Sequence, residues 1–484
     1  MSQLAYAPRP DVAASLALVG AALLAIGLAF ALGGIVFAVP LAVLLLGTAL
    51  LFQRPYVAWN GVLAFLVLVI LFVPIRRYRF PADLPFELEP YRVLVAGIVA
   101  FWIFSLLSDS RVRLRPSGFD GPLLLILFAV LASVAVNMAR YRAYESNVLK
   151  AITFFLSFLL VFYFVVSVVR TRASMNALIK VLVGGGAVVA LLAVVEARAG
   201  FSPFTRLESI VPFLEPVSVV SALDRGGATR ALGPAEHPIA LSAALVMLVP
   251  LAIYLVRTAG ARWWLAFAAL LLGVLATASR TGIVMLIVVA VVFLALRPRE
   301  TKRLWPLLVP LLVVTHFAVP GTLGSIKHAF LPEGGLIEQQ KSTEFGCDSS
   351  GRLADIGPTL DEVSRKPFFG HGYGTRVTTG KDSNACVLDN QWLGTLLDVG
   401  LVGALAWLWL FLAVLRRLGR VAQEDRSKNG WLLVGVTASI TAYAVGMATY
   451  DALGFTQVTL LLFVILALGA VSGTARGALR DAAA

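Results

Sequence analysis

Apolar runs of about 17–25 residues recur along the chain, separated by short polar turns. About fourteen runs start near residues 13, 34, 56, 91, 121, 149, 175, 238, 261, 281, 304, 391, 431 and 454. Each is long enough to cross about 30 Å of hydrocarbon as a helix. None alternates polar and apolar positions as the strands of a membrane barrel do. The pattern predicts an all-α polytopic helical membrane protein of about 12–14 transmembrane helices. The first run, after Asp11, has no small-residue cleavage site and leads into a second run, so it is expected to be a span.

Four units are expected: N-terminal transmembrane helices in 1–197, central helices with a first outer loop in 198–320, a large extracytoplasmic loop in 321–390, and C-terminal helices in 391–484. The large loop exceeds what a connection needs. Its stretch GRLADIGPTLDEVSRKPFFGHGYG mixes helical apolar spacing with Gly and Pro, which predicts a partly helical loop lying on the membrane surface.

Composition supports this reading. The chain has 484 residues, 59% hydrophobic and 14% charged, and its mean hydropathy of +0.88 exceeds what a soluble domain can bury. A net charge of +13 in a soluble protein points to nucleic acid; here it reads as Lys and Arg collected in cytosolic loops, with no nucleic-acid partner. RVRLRP (Arg111 to Pro116), VRTR (Val169 to Arg172), RPRETKR (Arg297 to Arg303) and RRLGR (Arg416 to Arg420) all fall on the cytosolic side when the N-terminus does. RRYRF (Arg76 to Phe80) falls outside. It marks either an error in the early span count or a basic surface with a task there.

The candidate chemistry gathers in the outer segments. Arg225, Arg230, Glu236 and His237 precede one span, Arg280 sits in a minimal turn between two spans, and Arg352 opens the helical part of the large loop. Arginine at membrane depth is costly unless paired or lining a polar cavity, and its planar fork suits phosphate oxygens. Each arginine alone can equally be a snorkelling or ion-paired side chain. Converging on one cavity, they would suit a diphosphate. His371 and His237 are candidate bases, although the glycines around His371 read more simply as a turn. Asp389, beside Asn390 and Gln391, is either a proton acceptor or a helix N-cap. Cys347 and Cys386, the two cysteines, share the large loop; an oxidising outer face would join them, the other reading being two separate thiols. No metal-ligand spacing, phosphate-binding loop or serine nucleophile motif is present. Gly184, Gly185 and Gly186 predict a close approach of helices.

Five elements in this order carry a resemblance: RALGPAEHPIALSAALVMLVPL from Arg230, SRTG from Ser279, GRLADIGPTL from Gly351, KPFFGHGYGT from Lys366 and DNQWLGTLLDVGLVG from Asp389. They resemble the O-antigen ligase and O-antigen polymerase superfamily, membrane enzymes that move glycans from an undecaprenyl-type diphosphate carrier to a hydroxyl acceptor. Members commonly carry His-Asn, nine residues, then Gly at the last element. This chain has Asp389-Asn390, nine residues, then Gly400, so the position of the acceptor-activating base holds an aspartate. Peptidoglycan polymerases of the shape, elongation, division and sporulation group are similar in layout and also use an outer-loop aspartate, but fit the remaining elements less well.

The resemblance implies a metal-independent inverting glycosyltransferase without cofactor, in the cytoplasmic (inner) membrane with its active site outside. It would act on a polyprenyl-diphosphate-linked glycan donor and a glycan, lipid or protein hydroxyl acceptor, with membrane lipid around it. Arg230 and Arg280, with Arg352 and Arg225, would hold the diphosphate. Asp389 would be the base and His371 the reserve, with His237 and Asn390 as further substrate contacts. A transporter or flippase of lipid-linked oligosaccharide shares the spans and inward arginines, but it needs polar groups through both halves of the bundle; here they concentrate in two outer loops.

Overall fold

A computed structural model of the chain describes residues 59–81, 89–108, 112–209, 211, 214–217, 223–225, 228–303, 313, 317, 324, 355–378 and 383–474. Its helices are α1 (Trp59–Phe72), α2 (Pro90–Ser108), α3 (Asp120–Val136), the short α4 (Met138–Ala143), α5 (Glu145–Val168), α6 (Arg172–Ala199), α7 (Pro238–Ala259), α8 (Trp263–Ala276), α9 (Arg280–Leu296), the short α10 (Pro298–Lys302), α11 (Ile356–Arg365), α12 (Gln391–Glu424), α13 (Lys428–Gly446) and α14 (Thr456–Thr474). The runs expected near residues 13, 34 and 304 fall outside the described residues; every other expected run is a helix. Six helices are long and apolar enough to cross a membrane, and four more are apolar but shorter. The protein is an all-α polytopic membrane protein.

Helices that are apolar on every face belong inside a bundle. In α7 and α14 the apolar window is 89% buried, against 39% for α2, so the first two form the centre and α2 the periphery. α13 is more polar, and its hydroxyls are used between helices: Ser439 Oγ donates to the Met247 carbonyl of α7 at 2.6 Å. The expected close approach at the glycine triplet is present. A Cβ on Gly186 would stand 2.3 Å from Leu248 of α7, and one on Gly185 would stand 2.9 Å from Leu71 of α1.

The basic turns gather at one end of the bundle. Arg297 donates to the Asp425 carbonyl, Arg426 pairs with Glu300 at 3.7 Å, and Arg417 Nη1 donates to the Gly118 carbonyl at 2.9 Å. The opposite end collects the starts of α2, α7, α9, α12 and α14 and the ends of α1, α6, α8 and α13. Two short antiparallel pairs lie in its loops. β1 (Tyr78–Arg79) pairs with β2 (Glu215–Pro216), Tyr78 opposite Pro216; β3 (Leu223–Arg225) pairs with β4 (Ala228–Arg230), Leu223 opposite Arg230. The expected surface helix in the large loop is α11, which buries Thr359 and Val363 and exposes Ile356 and Leu360.

α12 is broken. Gly400 has φ 66° and ψ −164°, which interrupts the helical ladder and frees backbone groups within the bundle. The segment 366–373 supplies their partners. His371 N donates to the Leu397 carbonyl at 2.7 Å, and Leu401 N and Val402 N donate to the Pro367 and Phe368 carbonyls at 2.8 and 3.2 Å. Ser133 Oγ of α3 donates to the Asp398 carbonyl at 2.6 Å. Non-helical backbone at membrane depth requires such partners. The glycines around His371 are the expected turn, with φ of 65°, 114° and 73° at Gly370, Gly372 and Gly374. A Cβ on Gly400 would meet the Phe368 carbonyl at 2.4 Å. Gly400→Ala therefore combines a left-handed φ with a backbone clash, and should cost about 2–4 kcal/mol; the check is a lowered thermal midpoint in detergent.

Candidate functional site

The segment from Arg230 to His237 is bonded along its length into the end opposite the basic turns. Arg230 Nε donates to the Thr277 carbonyl at 3.1 Å, and Ala231 N donates to the Ala276 carbonyl at 3.2 Å. Leu232 N and Gly233 N donate to the Glu196 carboxylate at 3.3 and 2.8 Å. Arg77 Nη2 donates to the Ala235 carbonyl at 2.6 Å, and the Arg76 guanidinium meets Glu236 at 3.0 Å. His237 caps α7, its Nδ1 accepting from Ile239 N at 3.2 Å, and its ring lies 6.1 Å from that of Phe455.

Thr277 lies in the turn between α8 and α9. Ala278 there takes φ 45°, an uncommon left-handed value for alanine, and Ser279 caps α9 through Gly282 N. The turn presents Arg280 as the first residue of α9. Arg230, from a segment fifty residues earlier, is thereby bonded to the turn that leads into Arg280. The arginine-bearing end of α9 adjoins the end of α13: a Cβ on Gly446 would stand 2.9 Å from Met285 Sδ, five residues into α9.

The start of α12 is clasped to the same place. Gln391 N donates to the Met447 and Tyr450 carbonyls at 2.7 and 3.1 Å, and Gln391 Oε1 accepts from Leu453 N at 2.8 Å. Of the two alternatives for Asp389, the cap falls to its neighbour: Asn390 Oδ1 accepts from Trp392 N and Leu393 N at 3.0 and 3.3 Å. Asp389 stands half-buried just outside the helix.

Groups that sequence reasoning passed over complete this end. Asp451 sits in the turn that Gln391 clasps. It is exposed, yet close enough to Arg376, Arg76 and Asp389 to feel their charge. Burial raises its pKa, Asp389 reinforces the rise, and Arg376, Arg76 and the Gly454 N–H oppose it. The neighbouring Tyr450 hydroxyl is buried without a hydrogen-bond partner among the described residues. Arg376 Nη2 donates to the Cys386 carbonyl at 3.0 Å, and Arg376 Nη1 lies 4.0 Å from Asp398. An acid five residues past the end of one span and five before the next was the available signal for Asp451.

The loop at Arg76 to Phe80 does lie at this end, and its charge is countered. Arg76 is bonded by side chain to Glu236 and by backbone N–H to Glu89 (2.7 Å), and Arg79 meets Glu215 at 3.0 Å. Burial opposes the Arg76 charge, but Glu236, Tyr91, Glu89 and Asp451 outweigh it and hold its pKa above the ordinary value. Burial pushes Glu236 up to about 7, with Arg76 opposing and Glu89 and Asp451 reinforcing. A carboxyl raised in the fold contributes stability below its unfolded pKa and loses it as pH rises through the folded value. The thermal midpoint should thus fall through about pH 4.5–7 on account of this group, and Glu236→Gln should flatten that slope; midpoints taken at several pH values check it.

His371 is buried, its Nε2 2.9 Å from the Glu362 carbonyl, with its backbone tied into the break of α12. Arg225 ends β3; its side chain is outside the described residues, as are Arg352 and Cys347. Cys386 is disulfide-bonded.

Residues 265–408 match the family model described as O-antigen ligase, which supports the O-antigen ligase and polymerase superfamily. The matched stretch contains Arg280, His371, Asp389 and the Gly400 break, while Arg230, Arg76 and Asp451 lie beyond it. No curated protein matches the chain.

Proposed function

We propose, from the premise that this chain carries an O-antigen ligase domain, that it is a glycosyltransferase of the cytoplasmic membrane. It transfers or polymerises glycan from a polyprenyl-diphosphate-linked donor onto a glycan, lipid or protein hydroxyl, with the reaction centre on the extracytoplasmic side. The observation that carries the reading is the joint placement of Arg230 and Arg280 on the Thr277 turn, at the bundle end where the Gln391 clasp holds Asp389 and Asp451. The orientation rests on the opposite end, where Arg297, Arg299, Lys302, Arg303, Arg416, Arg417 and Arg420 gather as cytosolic loops do.

In this reading Arg230 and Arg280, with Arg225 and Arg352, hold the donor diphosphate and offset the charge that builds as it leaves. Diphosphate leaves without an acid. Asp389 takes the proton from the incoming hydroxyl, which attacks the anomeric carbon as the bond to the diphosphate oxygen breaks, inverting that centre. The work asked of a metal falls to the arginines. Asp451 and Asn390 bind the acceptor beside Asp389 in a recess at this end, with His237 as a further substrate contact. His371 is the reserve base. A Cys347–Cys386 disulfide pins the large loop.

The test is the full chain in sealed vesicles with a lipid-linked glycan. New glycosidic product is expected. Carrier relocated across the membrane with no new linkage would overturn the proposal in favour of a flippase.

A further inference from the structure

Away from the recess, α12 carries a groove of about 680 Å³ along its outer face. Leu405, Leu408, Trp409 and Leu412 form its apolar lane, and Arg416 and Arg420 close one end. Leu405, Leu408 and Trp409 are 59%, 43% and 48% exposed, so the lane is open to the bilayer. Eleven residues separate Leu405 from Arg416, which makes the lane about 16 Å long at 1.5 Å per residue. The two arginines stand four residues apart, on one side of the helix and one turn from each other.

Their charge is uncompensated. Arg417 spends its Nη1 on the Gly118 carbonyl and lies 5.7 Å over the Phe119 ring. Arg416 and Arg420 are exposed and make no hydrogen bond or ion pair among the described residues, although Glu424 lies one turn beyond Arg420. Through Gly118, Arg417 also joins the groove to the loop holding the exposed Arg113 and Arg115. The acid in that stretch, Asp120, is committed to Ser117 and Tyr163.

We propose that this groove seats an acidic phospholipid, with its phosphodiester on Arg416 and Arg420 and one acyl chain along Leu405 to Leu412. Charge complementarity selects the occupant. A zwitterionic lipid fills the apolar lane equally well, but its own headgroup cation offsets its phosphate and is repelled by the two arginines, whereas an acidic lipid brings a net negative charge to both. This site stands at the opposite end of the bundle from the recess and does not depend on the glycosyl-transfer reading.

The test is thermal unfolding of the full chain in neutral detergent with phosphatidylglycerol, phosphatidylcholine or inorganic phosphate added. Phosphatidylglycerol should raise the midpoint by several degrees more than phosphatidylcholine, and inorganic phosphate should not substitute, because the acyl lane supplies part of the binding. Arg416→Gln/Arg420→Gln should keep the lipid-free midpoint, since both side chains are exposed, and lose the preference for the acidic lipid. Native mass spectrometry of both proteins gives a second readout, with retained phosphatidylglycerol expected on the parent alone. Equal shifts from the two lipids, or an undiminished preference in the variant, would overturn the assignment.

Discussion

Arg280→Ala should abolish glycan transfer while the protein still inserts and folds. Arg280 opens α9 directly after the three-residue turn 277–279, beside a backbone already strained at Ala278. A half-buried guanidinium between two apolar spans is costly, so a role tied to a ligand's negative charge accounts for its position. Removing one preorganised group that neutralises developing charge costs roughly 10²–10³-fold in turnover, about 3–4 kcal/mol of barrier. Arg280→Lys should recover little, because a point charge cannot reproduce a two-pronged contact with phosphate oxygens. Turnover assayed in membranes, beside blotting for insertion, separates lost chemistry from lost protein. Normal turnover in Arg280→Ala would remove the diphosphate clamp.

Asp389→Asn should lower turnover roughly 10²–10⁴-fold, the usual contribution of a positioned base. Asn390 already caps α12, so this change leaves the helix start intact and isolates the chemistry. Asp389→His is the informative companion. A histidine supplies a base at the same place and should keep at least about tenfold more turnover than the asparagine variant. If both variants match the parent, the base is elsewhere, with His371 next to be tried. Asp451→Asn should weaken use of the acceptor, raising its KM, without the loss seen at Asp389.

Much of this was written in the hydrophobic pattern. Apolar run length marks helices wherever lipid or a bundle surrounds them, and every expected run among the described residues is one. The short SRTG turn also read directly, because the adjoining spans leave no room for a loop; that Ser279 caps α9 came from the structure. Pairings made across the bundle did not read. Nothing local in RALGPAEH says that Glu196 takes its Leu232 and Gly233 N–H groups, or that Arg76 takes its glutamate. The basic loop at Arg76 looked misplaced because orientation rules count cations alone, while the fold sets Glu89, Glu236 and Glu215 against it. Asp389 and Asn390 look interchangeable as caps until the helix chooses its first residue. Asp451 carried no motif at all; its meaning comes from the Gln391 clasp, a contact between residues sixty-two apart.

The account's central claim is that arginines from separate segments meet an acid pair in one recess where a lipid-linked diphosphate reacts. The most direct measurement is an electron cryomicroscopy structure of the full chain in a lipid nanodisc with a non-hydrolysable polyprenyl-diphosphate analogue. The account predicts diphosphate density in contact with both Arg230 and Arg280, with Asp389 facing the anomeric side. Density seated away from both arginines, or a chain threaded through the bundle toward the Arg297–Arg303 end, would contradict it.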